Sequence, residues 1–145
     1  MFDTTITLFN RYHSRLGDVF YPHKIEGCQV RMDKASIRAK YGESSSDNAI
    51  VHIPVKNGCV GGLRVLQPKE WAGQVNEELA NNITFNDGQY FDVIIVGETE
   101  FNEPVTDEDY RDGFYNYVNE RFDNVFAVTG VAKYNAIPHY EIMAK

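Results

Sequence analysis

The side chains in this 145-residue sequence with chemistry to offer are four histidines, two cysteines, three consecutive serines and a run of acids. His13, His23, His52 and His139, with Cys28 or Cys59, are ligand types that zinc accepts, but their separations match neither H-x-x-x-H nor C-x-x-C. Spacing therefore nominates no metal site and no cofactor. Ser44, Ser45 and Ser46 sit in Y-G-E-S-S-S-D-N. A serine nucleophile needs a strained elbow and a placed base, whereas serines beside Asp and Asn are ordinary loop residues. The glycines of G-C-V-G-G, residues 58–62, could cradle phosphate only if a helix followed. Leu63 to Leu66 alternates like a strand, so the glycines predict a hairpin turn. Glu98, Glu100, Glu103, Asp107, Glu108, Asp109 and Asp112 lack the residue order of a calcium loop, and the later ones suit the positive end of a helix. In the ending I-P-H-Y-E-I-M-A-K, period two puts Tyr140 and Ile142 on one face of a strand and His139, Glu141 and Met143 on the other. No nucleophile or pocket joins them, so His139 reads as a packing or contact residue and the chain as a non-enzyme.

The elements that must position these residues are mostly strands. Ile6, Leu8 and Tyr12 mark a first strand interrupted by Asn10, and Cys28, Val30 and Met32 alternate with Gln29, Arg31 and Asp33. Residues 40–48 form a flexible polar loop. Ala49, Val51, Ile53 and Val55 resume the alternation until Pro54, which marks an edge or an end. Pro68 can start a short helix that Gly73 weakens. Asn86-Asp87-Gly88 predicts a hairpin turn before Val93 to Val96, a strand apolar enough to be buried on both faces. Thr106 predicts the N-cap of an amphipathic helix carrying Tyr110, Phe114, Tyr117, Val118 and Phe122, with Gly113 inside it. Residues 124–132 and 139–143 are closing strands. The expected fold is one β-rich domain over 1–145, mainly β with one amphipathic helix (α+β), arranged as a small antiparallel barrel or sandwich with an acidic loop plus helix near 98–121.

Composition bounds the function. A net charge of −7 argues against a general affinity for nucleic-acid backbones, which are held by clustered Lys and Arg. The longest apolar runs fall far short of a membrane span, and the start lacks the basic and apolar segments of an export signal, so cytoplasmic synthesis with free thiols and no membrane partner is expected. Nine Phe, nine Tyr and one Trp supply rings for a core or an interface.

Read in order, I-T-L-F-N-R-Y, K-I-E-G-C-Q-V-R, D-N-A-I-V-H-I-P-V, Q-P-K-E-W, Y-F-D-V-I-I-V-G-E, V-F-A-V-T-G-V and I-P-H-Y-E-I-M-A-K span nearly the whole chain. This order resembles a family of small prophage proteins of Gram-positive bacteria, similar to minor capsid or head-tail joining proteins of the stopper type. In that family the last block pairs a histidine with an aromatic residue before a basic tail, matching His139, Tyr140 and Lys145. The resemblance implies a virion structural protein, present in the bacterial cytoplasm during assembly. It would act as a homo-oligomeric ring against other head or tail proteins, with packaged DNA nearby. It implies contact roles for His139, Tyr140, Glu141, Trp71 and the loop serines Ser44, Ser45 and Ser46, and a channel or loop role for Glu98, Glu100, Glu103, Asp107 and Glu108. The alternative reading is a β-barrel ligand-binding module or enzyme with a pocket between the sheet and the 106–121 helix.

Overall fold

The computed structural model describes residues 3–33, 48–74 and 81–145. Among the described residues ten strands run in the order β1 (Thr4–Ser14), β2 (Gly17–Asp33), β3 (Asn48–Pro54), β4 (Cys59–Val60), β5 (Leu63–Val65), β6 (Asn82–Ile83), β7 (Val93–Val96), β8 (Val105–Thr106), β9 (Val125–Tyr134) and β10 (His139–Ala144). Helix α1 (Pro68–Ala72) lies between β5 and β6, and α2 (Phe114–Arg121) precedes β9. The mainly β, α+β expectation holds, and of barrel and sandwich it is the barrel that forms. Strand β1 pairs with both β2 and β7, and the ring β1-β2-β3-β10-β9-β7 closes on itself with antiparallel neighbours throughout. Closure leaves these six strands without a free edge.

Two strands turn the corners. Residues 17–28 of β2 pair with β1 and residues 29–33 pair with β3. The change of partner falls beside Gly27, whose φ of +74° only glycine adopts at little cost. Strand β9 similarly pairs with β7 through Ala127 and with β10 from Val128 onward.

Alternation then sorts the side chains. Ile6 and Leu8 of β1, Ile25 and Cys28 of β2, Val51 and Ile53 of β3, Ile94, Val128, Tyr140 and Ile142 fill the barrel interior. Phe9, Phe20, Val93 and Ile95 point outward and are covered by Phe114 and Val118 of α2. Strand β7 is thus buried on both faces, as its unbroken apolar run requires. Each fully buried Phe contributes about 1.5–3 kcal/mol through burial.

Several local expectations are corrected. Asn10 does not interrupt β1, which runs without a break and pairs Asn10 with Tyr21. Its amide is tolerated in the interior because segment 84–92 satisfies it. Asn86-Asp87-Gly88 is not a hairpin turn: β6 pairs in parallel with β5 and β7 pairs elsewhere, so the loop joins strands that do not touch. The helix does not begin at Thr106. Residues 105–106 form β8 against Val19 and Phe20, residues 107–109 form one 3-10 turn, and α2 starts at Phe114. The reason is local. Gly113 is the N-cap, with φ +89°, and the Asp107 carboxylate reaches forward to accept the Phe114 N–H at 2.8 Å. Tyr110 lies outside α2 and meets Phe114 edge-on and Tyr117 at a tilt from the approach segment.

Residues 59–74 and 81–92 cap one mouth of the barrel. Val60, Ile83 and Phe85 enter the interior cluster, Phe85 against Tyr140 with ring centroids 4.7 Å apart. Helix α1 holds the cap to the wall through Trp71, whose indole N–H donates to the Arg11 carbonyl at 3.1 Å and whose ring meets Tyr21 edge-on. As expected, Pro68 opens α1, Gly73 follows its end, the 57–62 glycines make a turn, and β3 ends at Pro54.

Candidate functional site

The outward face of the closing strands gathers the histidine chemistry. The register sets Glu141 of β10 directly opposite His52 of β3 and Ala132 of β9, and His139 opposite Pro54 and Tyr134. Alternation turns His52, His139 and Glu141 to the same side, where one donor atom from each lies within 4.8 Å of the others. The His139 ring stacks on Tyr134 at 4.9 Å with 9° between planes, and its Nδ1 sits 2.7 Å from the Ile137 carbonyl. A carbonyl accepts, so Nδ1 carries the hydrogen and Nε2 the lone pair. The His52 and His139 rings are 5.4 Å apart. Sequence reading found His139 and Glu141 as neighbours on one face and named His52 as a ligand type, but did not join His52 or Tyr134 to them. The alternation of 49–55 does put His52 opposite Val51 and Ile53. The register that brings it to β10 is not encoded in any local spacing.

A second polar cluster lies under the cap. Asp92 is fully buried and accepts hydrogen bonds from Asn10 Nδ2 (2.8 Å), the Arg11 N–H (2.8 Å), the Asn86 N–H (2.8 Å) and Asn86 Nδ2 (2.9 Å). Asn10 Nδ2 also donates to the Thr84 carbonyl at 2.7 Å while its Oδ1 accepts the Thr84 N–H at 3.2 Å. Burial pushes the Asp92 carboxyl up to about 7, and the four N–H donors limit the rise. Asn10, Thr84 and Asp92 are closed to solvent, and the cluster reads as a latch between barrel and cap. Nearby, the Arg11 guanidinium lies between the Phe20 and Phe91 rings and 3.4 Å from Asp18, which also meets His13 at 2.6 Å. His23 is buried with Nε2 unpartnered, and desolvation lowers it to about 4, so it stays neutral. Cys28 is buried as expected, which raises its thiol to about 12 and makes it inert.

The remaining expected site residues are dispersed. Trp71, 2% exposed, is the anchor of the cap and offers no surface to a neighbour. Tyr140 points into the barrel against Phe85, so it too is corrected from contact residue to core. Both assignments fail because an aromatic side chain that can bury its ring in a core does so. Ser44, Ser45 and Ser46, with most of the 40–48 loop, lie outside the described residues. Glu98, Glu100, Glu103 and Glu108 are exposed; Glu98 pairs with Lys24 at 2.8 Å, and Asp107 is the cap of α2. The space between sheet and α2, where a ligand pocket was the alternative, is filled by Phe9, Phe20, Phe101 and Phe114 in mutual contact.

Hydrophobic side chains remain on the outside at two hairpins. Leu16, 92% exposed, tips the β1–β2 turn, and Ile137, 77% exposed, tips the β9–β10 turn beside Tyr134, with Met143 further along β10.

A family of unknown function (DUF6751) matches the chain over residues 1–145. No curated protein and no solved structure matches it.

Proposed function

We propose that this chain, which belongs to the family of unknown function DUF6751, is a structural subunit of a phage or prophage particle. In this reading it assembles as a homo-oligomeric ring at the head-tail junction, in the manner of a stopper. The observation that carries the reading is the pair of hairpin tips. A barrel whose interior is already filled has no internal use for Leu16 and Ile137, and apolar groups held out on turns gain their burial against a neighbour. Tips that insert into a different surface of the next subunit make a heterologous contact, the kind that closes into rings. The order of sequence blocks that resembles prophage joining proteins supports the same role.

The exposed acids fit this placement. Glu100, Glu103 and Glu108 carry no ion pair among the described residues, and facing a central channel they would repel DNA and let it pass without sticking. Other head or tail proteins would dock on the ring's two faces, with the chain in the cytoplasm until it joins the virion.

Electron microscopy of particles made without this protein tests the reading: filled heads that leak DNA or fail to join tails are expected, and normal infectious particles would sink it. On purified material, Ile137→Glu is expected to abolish ring assembly on the partner platform while leaving the unfolding free energy from urea titration within about 0.5 kcal/mol of wild type.

A further inference from the structure

We infer that His52, His139 and Glu141 form a binding site for one divalent transition-metal ion of the zinc type, on the outer face of β3 and β10. The inference stands independently of the assembly role. Two imidazoles and a carboxylate are a donor set that suits zinc, and the strand register, fixed by the filled barrel, sets their positions.

Three features distinguish the cluster from a chance gathering on a polar face. First, the donor atoms lie within 4.8 Å of one another, yet no hydrogen bond joins any two of the three side chains. The three donors share one neighbourhood without satisfying each other. Second, His139 is already prepared as a ligand. Its Nδ1–H donates to the Ile137 carbonyl and its ring is held flat against Tyr134, which leaves Nε2 as the lone-pair atom on an oriented imidazole. Third, no Lys or Arg among the described residues lies within ion-pairing distance of Glu141, so its charge is not neutralised by the protein. Ala132, directly opposite Glu141, is too small to cover it.

The geometry requires little adjustment. A tetrahedral ion about 2.1 Å from each donor holds the donors about 3.4 Å apart. The remaining contraction, from at most 4.8 Å, is shared among three side chains. Three protein ligands leave a fourth position for water or for a group from another molecule.

The test uses the full chain without a histidine tag. Titration with Zn2+ by calorimetry, and with Co2+ by visible absorption as a reporter of coordination, is expected to show one saturable ion per chain. His52→Gln, His139→Gln and Glu141→Gln should each weaken binding by at least about tenfold, the scale seen when a group supporting a metal site is removed, while His13→Gln should not. All three targets face outward, so circular dichroism should report an unchanged fold. On the wild-type chain, Zn2+ should shift the imidazole nitrogen signals of His52 and His139 and leave those of His13 and His23 in place. Absence of saturable binding, or binding that survives His52→Gln or Glu141→Gln, overturns the site. Equal shifts at all four histidines overturn it as well.

Discussion

Replacing His23 with leucine should make this protein more stable in mild acid than at neutral pH, because it removes one of two opposed proton linkages. In the folded state His23 is lowered to about 4, so between pH 6.5 and 4 the unfolded chain binds a proton that the folded chain refuses. Stability from this group is present above the unfolded value and is lost as pH falls, by about 3 kcal/mol at 1.36 kcal/mol per unit. Asp92 has the reverse sign. Raised from 3.8 to about 7, it takes up a proton in the folded state before the unfolded chain does. Its contribution is fully present below the unfolded value and is lost as pH rises through 7, by roughly 4 kcal/mol. The two windows overlap, so these contributions nearly cancel in the wild type, leaving a profile between pH 4.5 and 7.5 that is flat to about 1 kcal/mol. With His23→Leu the Asp92 linkage stands alone, and stability at pH 4.5 should exceed that at pH 7.5 by roughly 3 kcal/mol. Urea unfolding followed by fluorescence of Trp71, the one tryptophan and a buried one, measures this at each pH. A variant whose stability stays flat or falls as the pH drops would refute the reasoning. It would mean that the four N–H donors hold Asp92 ionised across the whole range.

Asn10→Ala should cost about 2–4 kcal/mol, since it leaves the buried Thr84 N–H without its partner and takes one donor each from the Thr84 carbonyl and Asp92; a change in unfolding free energy below about 0.5 kcal/mol by urea titration would contradict the latch. Asp107→Ala should cost about 1 kcal/mol through the lost cap on Phe114, and Asp107→Asn, which keeps an accepting oxygen, should recover most of it in the same measurement.

Much of the barrel was legible in the sequence because alternation has a physical cause that is local: a strand packed on one side needs an apolar residue at every second position. Hence β3, β7 and β10 and their buried faces were read correctly, His139 and Glu141 included, and β9 was read as a strand. What alternation cannot carry is pairing. The ring closure through β1 and β7, and the meeting of His52 with Glu141, depend on contacts between segments some ninety residues apart in the chain. Residues 17–26 of β2 were missed because Pro22 and His23 break the apolar pattern there, and Asn10 because a polar residue in a core is intelligible only once its partners are known. The start of α2 was misplaced because acids at 107–109 serve equally as a first helical turn and as a side-chain cap acting from outside the helix.

The position of β10 between β3 and β9 has a consequence for how the chain folds. The β1–β2 hairpin, in register from Ser14 and Gly17, can form as soon as it leaves the ribosome, and β7 can join β1 once residue 96 has emerged. At that stage β3 still presents an unpaired row of N–H and C=O groups, and β9 joins with another. The last of the barrel strands to be synthesised must fill the gap between them. Until it does, the nascent chain carries two sticky edges facing each other, which makes the arrival of β10, rather than collapse of the core, the step that ends their exposure to aggregation.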